Sequence, residues 1–193
     1  MIQYFQETMQ VLQNTINSLD TNAFSRLVTE CEIVLKNGHR VIVSGLGKNV
    51  PVCDKFVGTM LSLGLNAGFM HTNSAVHGDL GLVQDGDLVI VLTKSGETSE
   101  SIYLTQQLQK RNVVVWLLSF AKKSTLMDMV GENCLLLELS HEGDLWNIAP
   151  NNSTTANLIV LQGLAWELAQ RMGCTLEQFK QNHPGGHIGE LLR

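Results

Sequence analysis

The sequence has no basic run, no paired-cysteine motif and no long apolar stretch, and each absence removes a class of function. With a net charge of −5 and no basic run, the chain offers no surface suited to a nucleic-acid backbone. A small anionic ligand held by a local positive field stays compatible with that balance. The four cysteines, Cys31, Cys53, Cys134 and Cys174, form no Cys-x-x-Cys pair, which argues against a zinc ribbon or a dithiol redox motif. Cys134 lies in an apolar run and reads as a buried, reduced thiol. No basic region followed by an apolar core marks the N-terminus, so no signal peptide is expected. No stretch is long enough to span a bilayer, and a soluble, cytoplasmic protein is the expectation. Internal repeats, low-complexity tracts and linkers are missing too. With 44% hydrophobic and 16% charged residues, a chain of 193 suits one domain with a sizeable interior rather than two.

What is present is an alternation of helical and strand patterns. Ile2, Phe5, Met9, Leu12 and Ile16 recur at helical spacing, and Phe24, Leu27, Val28, Cys31, Val34 and Leu35 repeat it after Asp20. Asn37-Gly38 ends this helical N-terminal segment, residues 1–37. Short apolar runs then predict strands at Val41–Val43, up to His71, at Leu88–Leu92, at Val113–Leu118 and at Cys134–Leu139. Helices are predicted from Pro51 to about Leu63, over Ser101–Lys110, from a Ser124 cap to Val130, over Ser153–Met172 and after a Thr175-x-x-Gln178 capping box. The tail from Asn182 to Gly189 is expected to be non-helical through Pro-Gly-Gly. Such alternation predicts an α/β fold, a parallel sheet covered by helices on both faces, with ligands beyond the carboxyl ends of the strands.

One loop at that rim is chemically distinctive. Leu88–Leu92 is a strand buried on both faces, and Thr93–Thr98 packs three hydroxyls around Gly96 before a helix begins. Unpaired N–H groups at a helix start and hydroxyl donors make an anion site; a capped turn with no ligand is the alternative. The loop Ser44–Asn49 matches neither the P-loop spacing nor the dinucleotide fingerprint, and leaves a glycine-softened turn carrying Lys48. His183 and His187, separated by Pro-Gly-Gly, fix no metal geometry, so neither a metal nor a cofactor is expected.

Taken together, SGLGK at Ser44–Lys48, HGDLG at His77–Gly81, SGETSE at Ser95–Glu100, IAPNNSTTA at Ile148–Ala156 and HPGG at His183–Gly186 resemble the sugar isomerase (SIS) domain. Within it they resemble the D-arabinose 5-phosphate isomerases. The resemblance covers most of the chain, and implies a single SIS domain over residues 1–193. The implied fold is a three-layer α/β/α sandwich with a five-stranded parallel sheet and extra N-terminal helices. It also implies a homotetramer with active sites between subunits. The implied reaction interconverts D-ribulose 5-phosphate and D-arabinose 5-phosphate, supplying 3-deoxy-D-manno-octulosonate for lipopolysaccharide or capsule. Many members carry two regulatory CBS domains after this one; the sequence ends at Arg193, so that control is expected to be absent. The alternatives are a sugar-phosphate-sensing SIS regulator and an SIS isomerase for another ketose phosphate.

By matching position, the family's functional lysine falls on Lys48, its glutamates on Glu100 and Glu142, and its histidines on His77 and His183. Phosphate contacts fall on Thr93, Ser95 and Thr98, with Ser44 nearby. Moving a carbonyl between adjacent carbons needs a proton shuttle, and Glu142 is assigned that task, with burial expected to raise its pKa toward neutrality. Lys48 would face the enediolate oxygen, Glu100 would position hydroxyls or support Lys48, and His183 or His77 would open the sugar ring. Departures from the family are His141-Glu-Gly-Asp-Leu145 in place of Lys-Glu-Ala-Cys-Pro, Asn49-Val-Pro51 at the start of its helix, and Lys94 where Asn or Tyr is common.

Overall fold

A computed structural model describes residues 2–191 of the chain. Two helices open it, α1 (Ile2–Asn17) and α2 (Thr21–Lys36), the second capped by the Asp20 carboxylate, which accepts from the N–H groups of Asn22 and Ala23. Then follow β1 (Val41–Gly45), a 3-10 turn at Gly47–Asn49, α3 (Val50–Ser62), β2 (Ala67–His71), α4 (Thr72–Ala75) and a second 3-10 turn at Asp79–Leu82. The second half runs β3 (Leu88–Leu92), α5 (Ser99–Leu108), β4 (Val114–Ser119), α6 (Thr125–Val130), β5 (Cys134–Leu136), α7 (Asn152–Arg171), α8 (Leu176–Gln181) and α9 (Gly186–Leu191).

The five strands form one sheet in the order β2-β1-β3-β4-β5, and every pairing is parallel. Successive side chains of a strand face opposite sides, and the interior divides accordingly. Val41, Val43, Leu88, Ile90, Leu92, Trp116 and Leu118 join one core with α2, α3 and α7. Ile42, Val89, Val91, Val115 and Leu117 join the other, with Leu104 and Leu108 of α5 and Leu126 of α6. Trp116 is fully buried, and its indole N–H donates to Glu30 Oε2 at 2.7 Å, so its one polar atom is satisfied. Helix α1 packs on α7 and leaves Ile2, Phe5 and Met9 exposed.

This strand order has a consequence for ligands. The chain leaves β1 toward β2 on one side and returns to β3 on the other, so the loops after β1 and β3 diverge and open a crevice. Ser44 pairs in register with Met70 of β2 and Val91 of β3, which brings the ends of three strands level.

The expected elements are all present, with shifted ends. β1 runs on through Ser44 and Gly45, which the sequence reading placed in the exit loop. Here Gly45 is held tightly, since a Cβ on it would lie 2.9 Å from Asn49 Cβ. β5 stops at Leu136, where Leu139 was expected. α5 starts at Ser99, two residues early, because Thr98 takes the N-cap position. The tail differs more: the chain turns at Pro184-Gly185 but is helical from Gly186. Gly186 enters with φ +69, and no proline follows it; Gly189 packs so close to the loop that a Cβ would sit 2.6 Å from the His183 carbonyl oxygen. Cys134 is half-buried rather than buried, and burial pushes its thiol up to about 11, which keeps it protonated at neutral pH.

Candidate active site

Two loops that leave the sheet at the same rim meet at one ion pair. Glu142, in the loop after β5, has no solvent exposure, and its Oε1 lies 2.6 Å from Lys94 Nζ, in the turn after β3. The other carboxylate oxygen, Oε2, accepts from the backbone N–H groups of Asn151 (3.1 Å) and Ser153 (3.0 Å). Those are N–H groups at the start of α7, so Glu142 also serves as an anion at a helix N-terminus. The loop that delivers it is tied to itself: Glu142 N–H donates to Asn147 Oδ1, Asn152 Nδ2 donates to the His141 carbonyl, and Asp144 accepts from Trp146, Ile148 and Ala149. Asn147 takes φ +56, a left-handed conformation that Asn tolerates better than most residues.

Burial alone would raise the pKa of Glu142, and that was the expectation. The structure reverses it. Desolvation does push upward, but the Lys94 ammonium and the Asn151 and Ser153 donors outweigh it and hold the carboxyl below its ordinary value. At neutral pH Glu142 is therefore ionised.

The turn after β3 is held by its own groups. Gly96 N–H donates to Thr93 Oγ1 at 3.1 Å, and Glu97 N–H donates to Ser95 Oγ at 3.2 Å. Gly96 has φ +68 and presses on Ser124, the cap of α6, so that a Cβ there would fall 2.2 Å from Ser124 Oγ. Glu97 accepts from the Thr125 N–H and hydroxyl, which lower its pKa and staple the turn to α6. Thr98 caps α5 through its backbone only; its side chain makes no capping bond and stays available to a ligand.

The other expected site residues are placed unequally. Lys48, in the 3-10 turn after β1, is exposed, and among the described residues it enters no ion pair. Its neighbour Asn49 accepts at 3.0 Å from Asn157 of α7, a buried side chain that fixes this turn. Glu100 is exposed in the first turn of α5; its own N–H and the Ser99 hydroxyl lower its pKa. Ser44 is fully buried and its hydroxyl pairs with Thr72 at 3.0 Å, bracing β1 against α4. Thr93 is also buried, at 4% exposure, and its oxygen is the turn's internal acceptor. His77 is exposed beyond β2, at the same rim.

His183 lies elsewhere. It follows α8, stacks on Phe179 at 4.0 Å between ring centres, and its Nδ1 lies 2.7 Å from the Phe179 carbonyl. Adjoining Asn182 donates to the Leu61 and Ser62 carbonyls at the far end of α3. Between Glu142 and that point runs α7, 20 residues or about 30 Å. One chain does not bring His183 to Glu142. Conversely, Lys94 and Asn157 were not among the expected site residues. A cation inside a hydroxyl-rich turn was the visible signal for Lys94; a buried Asn in a helix gave none.

Among the described residues, no cluster of three or more His, Cys, Asp or Glu side chains could hold a metal ion, and no helix is long and apolar enough to cross a membrane.

A family model described as SIS domain matches residues 34–166. Arabinose 5-phosphate isomerase KdsD of Pseudomonas aeruginosa is 32% identical over 187 residues, covering 97% of this chain and 57% of that protein. The chain thus spans about half the length of the curated relatives it matches. A protein of Escherichia coli CFT073, solved in complex with arabinose 5-phosphate, superposes with a TM-score of 0.85 at 28% identity, covering 95% of both chains. A Listeria monocytogenes chain reaches a TM-score of 0.87 at 23% identity, over 95% of this chain and 94% of that one, and supports the fold alone.

A stability measurement checks the ionised state of Glu142. Its folded pKa lies below the unfolded value of about 4.3, so its contribution is fully present above that value and is lost as pH falls through the folded pKa. Urea unfolding of the wild type should lose stability on acidification below about pH 4.5, and Glu142→Gln should flatten that slope. Equal slopes would mean that the carboxylate is not held ionised.

Proposed function

The chain belongs to the SIS domain family, and from that premise we propose that it is an aldose–ketose isomerase interconverting D-ribulose 5-phosphate and D-arabinose 5-phosphate. Residues 1–193 act as one SIS unit on this reading. The product would serve synthesis of 3-deoxy-D-manno-octulosonate for lipopolysaccharide or capsule. The observation that carries the proposal is the meeting of an ionised, fully buried Glu142 with the hydroxyl-lined turn Thr93–Thr98 at one rim of the sheet. A base and an anion seat at one rim suit a short sugar ester, with the phosphate on the turn and the reacting carbons beside the carboxylate. The name of the Pseudomonas relative and the arabinose 5-phosphate bound to the Escherichia protein favour a pentose phosphate of this kind.

The residues divide the work as follows. Ser95, Thr98 and the first N–H groups of α5 hold the phosphate, because hydroxyls and helix-start amides donate to anionic oxygens. Glu142 takes the proton from C1 of the open-chain ketose, leaving an enediolate, and returns it to C2, while the O1 hydroxyl proton passes to O2, so that C1 becomes the aldehyde and C2 the alcohol. Lys48 supplies positive charge to the enediolate oxygen. Glu100 orients hydroxyl groups. His77 of the same chain or His183 of another copy opens the arabinose ring, and the placement of His183 favours assembly into a homotetramer with shared sites. The exposed Leu145, Trp146 and Ile148 beside Glu142, and Trp166 and Leu176 near the far end of α7, are apolar surface that such assembly would cover.

Incubation with D-ribulose 5-phosphate in deuterated water should give arabinose 5-phosphate deuterated at C2 by NMR, and Glu142→Gln should abolish it while phosphate binding remains. Binding without turnover would favour a sugar-phosphate sensor; turnover of another ketose phosphate alone would favour a different SIS isomerase. Ser95→Ala should weaken substrate binding by about 1–3 kcal/mol, read as a raised KM, and an unchanged KM would move the phosphate off this turn. If His183 of another copy opens the ring, His183→Ala should lose activity on D-arabinose 5-phosphate, and mixed oligomers of Glu142→Gln and His183→Ala chains should regain it, because some sites then combine one intact residue from each. No recovery on mixing, with both variants folded, would confine the site to a single chain.

A further inference from the structure

We propose that Lys94 is a latch on the reactive oxygen of Glu142, and that an anionic sugar ester seated on the Ser95–Thr98 turn opens it. The inference rests on the functional reading above only in taking that turn as the anion seat.

The two carboxylate oxygens are not equivalent. Oε2 is held by two backbone N–H groups at the start of α7. Oε1 is buried, accepts no aligned hydrogen bond, and has the Lys94 ammonium 2.6 Å away as its partner. Oε1 is the oxygen with acceptor capacity to spare, and Lys94 stands over it. A carboxylate so paired is charged and oriented, and the ammonium stands in the way of a substrate carbon approaching Oε1.

Lys94 is built to move, and the turn that carries it is not. Its side chain is 47% exposed, and its flexible stem of four carbons ends in three rotatable donors. The turn's backbone is fixed by Thr93, Gly96 and the Glu97–Thr125 staple, none of which involves the lysine side chain. Ser95 follows Lys94 directly, and a long flexible stem lets the ammonium swing toward a ligand on the adjoining hydroxyls. A phosphate monoester carries a charge of about −1.5 to −2 at neutral pH, more than the single charge of the carboxylate. The ammonium is therefore drawn to the ester, and Oε1 is uncovered when a substrate is there to use it.

Once uncovered, Glu142 keeps its two N–H donors but loses its counter-ion, and the burial that already opposes its charge is no longer outweighed to the same degree. Proton uptake becomes easier, as a shuttle needs. The neighbouring titratable groups leave this control to Lys94. His141 and Asp144, in the same loop, accept from Gly143 and from the Trp146, Ile148 and Ala149 N–H groups. The first turn of α7 supplies the neutral Asn151, Asn152 and Ser153. On the α1 side, Tyr4 and Glu7 line a small cleft with His141.

The test needs no turnover. In full-length protein labelled with 13C at glutamate, the Glu142 carboxyl is titrated by NMR with and without sulfate. Sulfate is a phosphate-shaped dianion whose charge stays constant over the titration, and is used at levels that saturate the Ser95–Thr98 amide shifts of each variant. In the wild type, sulfate should raise the Glu142 midpoint by about one unit or more. In Lys94→Met the midpoint should already be high without sulfate and move much less on its addition; Lys94→Arg should restore the wild-type response. Sulfate that shifts the turn amides but leaves the wild-type midpoint in place overturns the latch and spares the anion seat. So does a Lys94→Met shift equal to that of the wild type. Sulfate that perturbs neither removes both. A sulfate-operated latch in a protein that does not turn over D-ribulose 5-phosphate would support the latch and remove the isomerase reading.

Discussion

A carboxylate without solvent is the constraint around which this rim is built. Taking an ion out of water costs several kcal/mol unless other groups replace its hydration. Glu142 has those groups: one ammonium and two backbone N–H groups. They come from two segments far apart in sequence, the turn after β3 and the start of α7. The need to satisfy one side chain therefore fixes three things at once: where the loop after β5 lies, how α7 begins, and which way Lys94 points.

The second requirement is rigidity beside the base. A turn that holds an anion works best when its donors are in place before the ligand arrives. Gly96 permits the left-handed step and lets the turn sit directly on Ser124, while Glu97 reaches across to Thr125. The hydroxyls of Ser95 and Thr98 are then left on the open side. Since β3 is the strand to which the chain returns after β2, the turn also stands at the crevice where the sheet's connections diverge. Fold and site thus share one origin, the order in which the strands were laid down.

Much of this was legible in the sequence, because period-two and period-3.6 patterns report burial directly. The strand Leu88–Leu92, the cap at Ser124 and the capping box at Thr175 follow from local residue chemistry and stand where they were expected. What was not legible depends on contacts between distant segments. Ser44 looked like a loop hydroxyl and is buried against Thr72, 28 positions away. Glu142 was expected to be raised in pKa by burial; the sign of its shift is set by donors from other segments, among them Lys94, 48 residues earlier in the chain. His183 matched a motif, but a motif carries no distance, and the length of α7 separates it from the base.

On the proposed reading, the charge balance of the rim would let an acidic protein favour an acidic ligand. The net charge of −5 would repel a phosphate if it were spread evenly, and Glu97 and Glu100 stand in the very turn and helix start that would receive it. Both are answered locally, Glu97 by the N–H and hydroxyl of Thr125 and Glu100 by its own N–H and the Ser99 hydroxyl. Lys48 enters no ion pair among the described residues, and Lys94 is shared with a carboxylate that has two other donors. An arriving dianion therefore meets positive charge whose partners are absent or already supported. At ordinary salt, charges farther off than about 8–10 Å are largely screened, so this local arrangement outweighs the sum over the molecule.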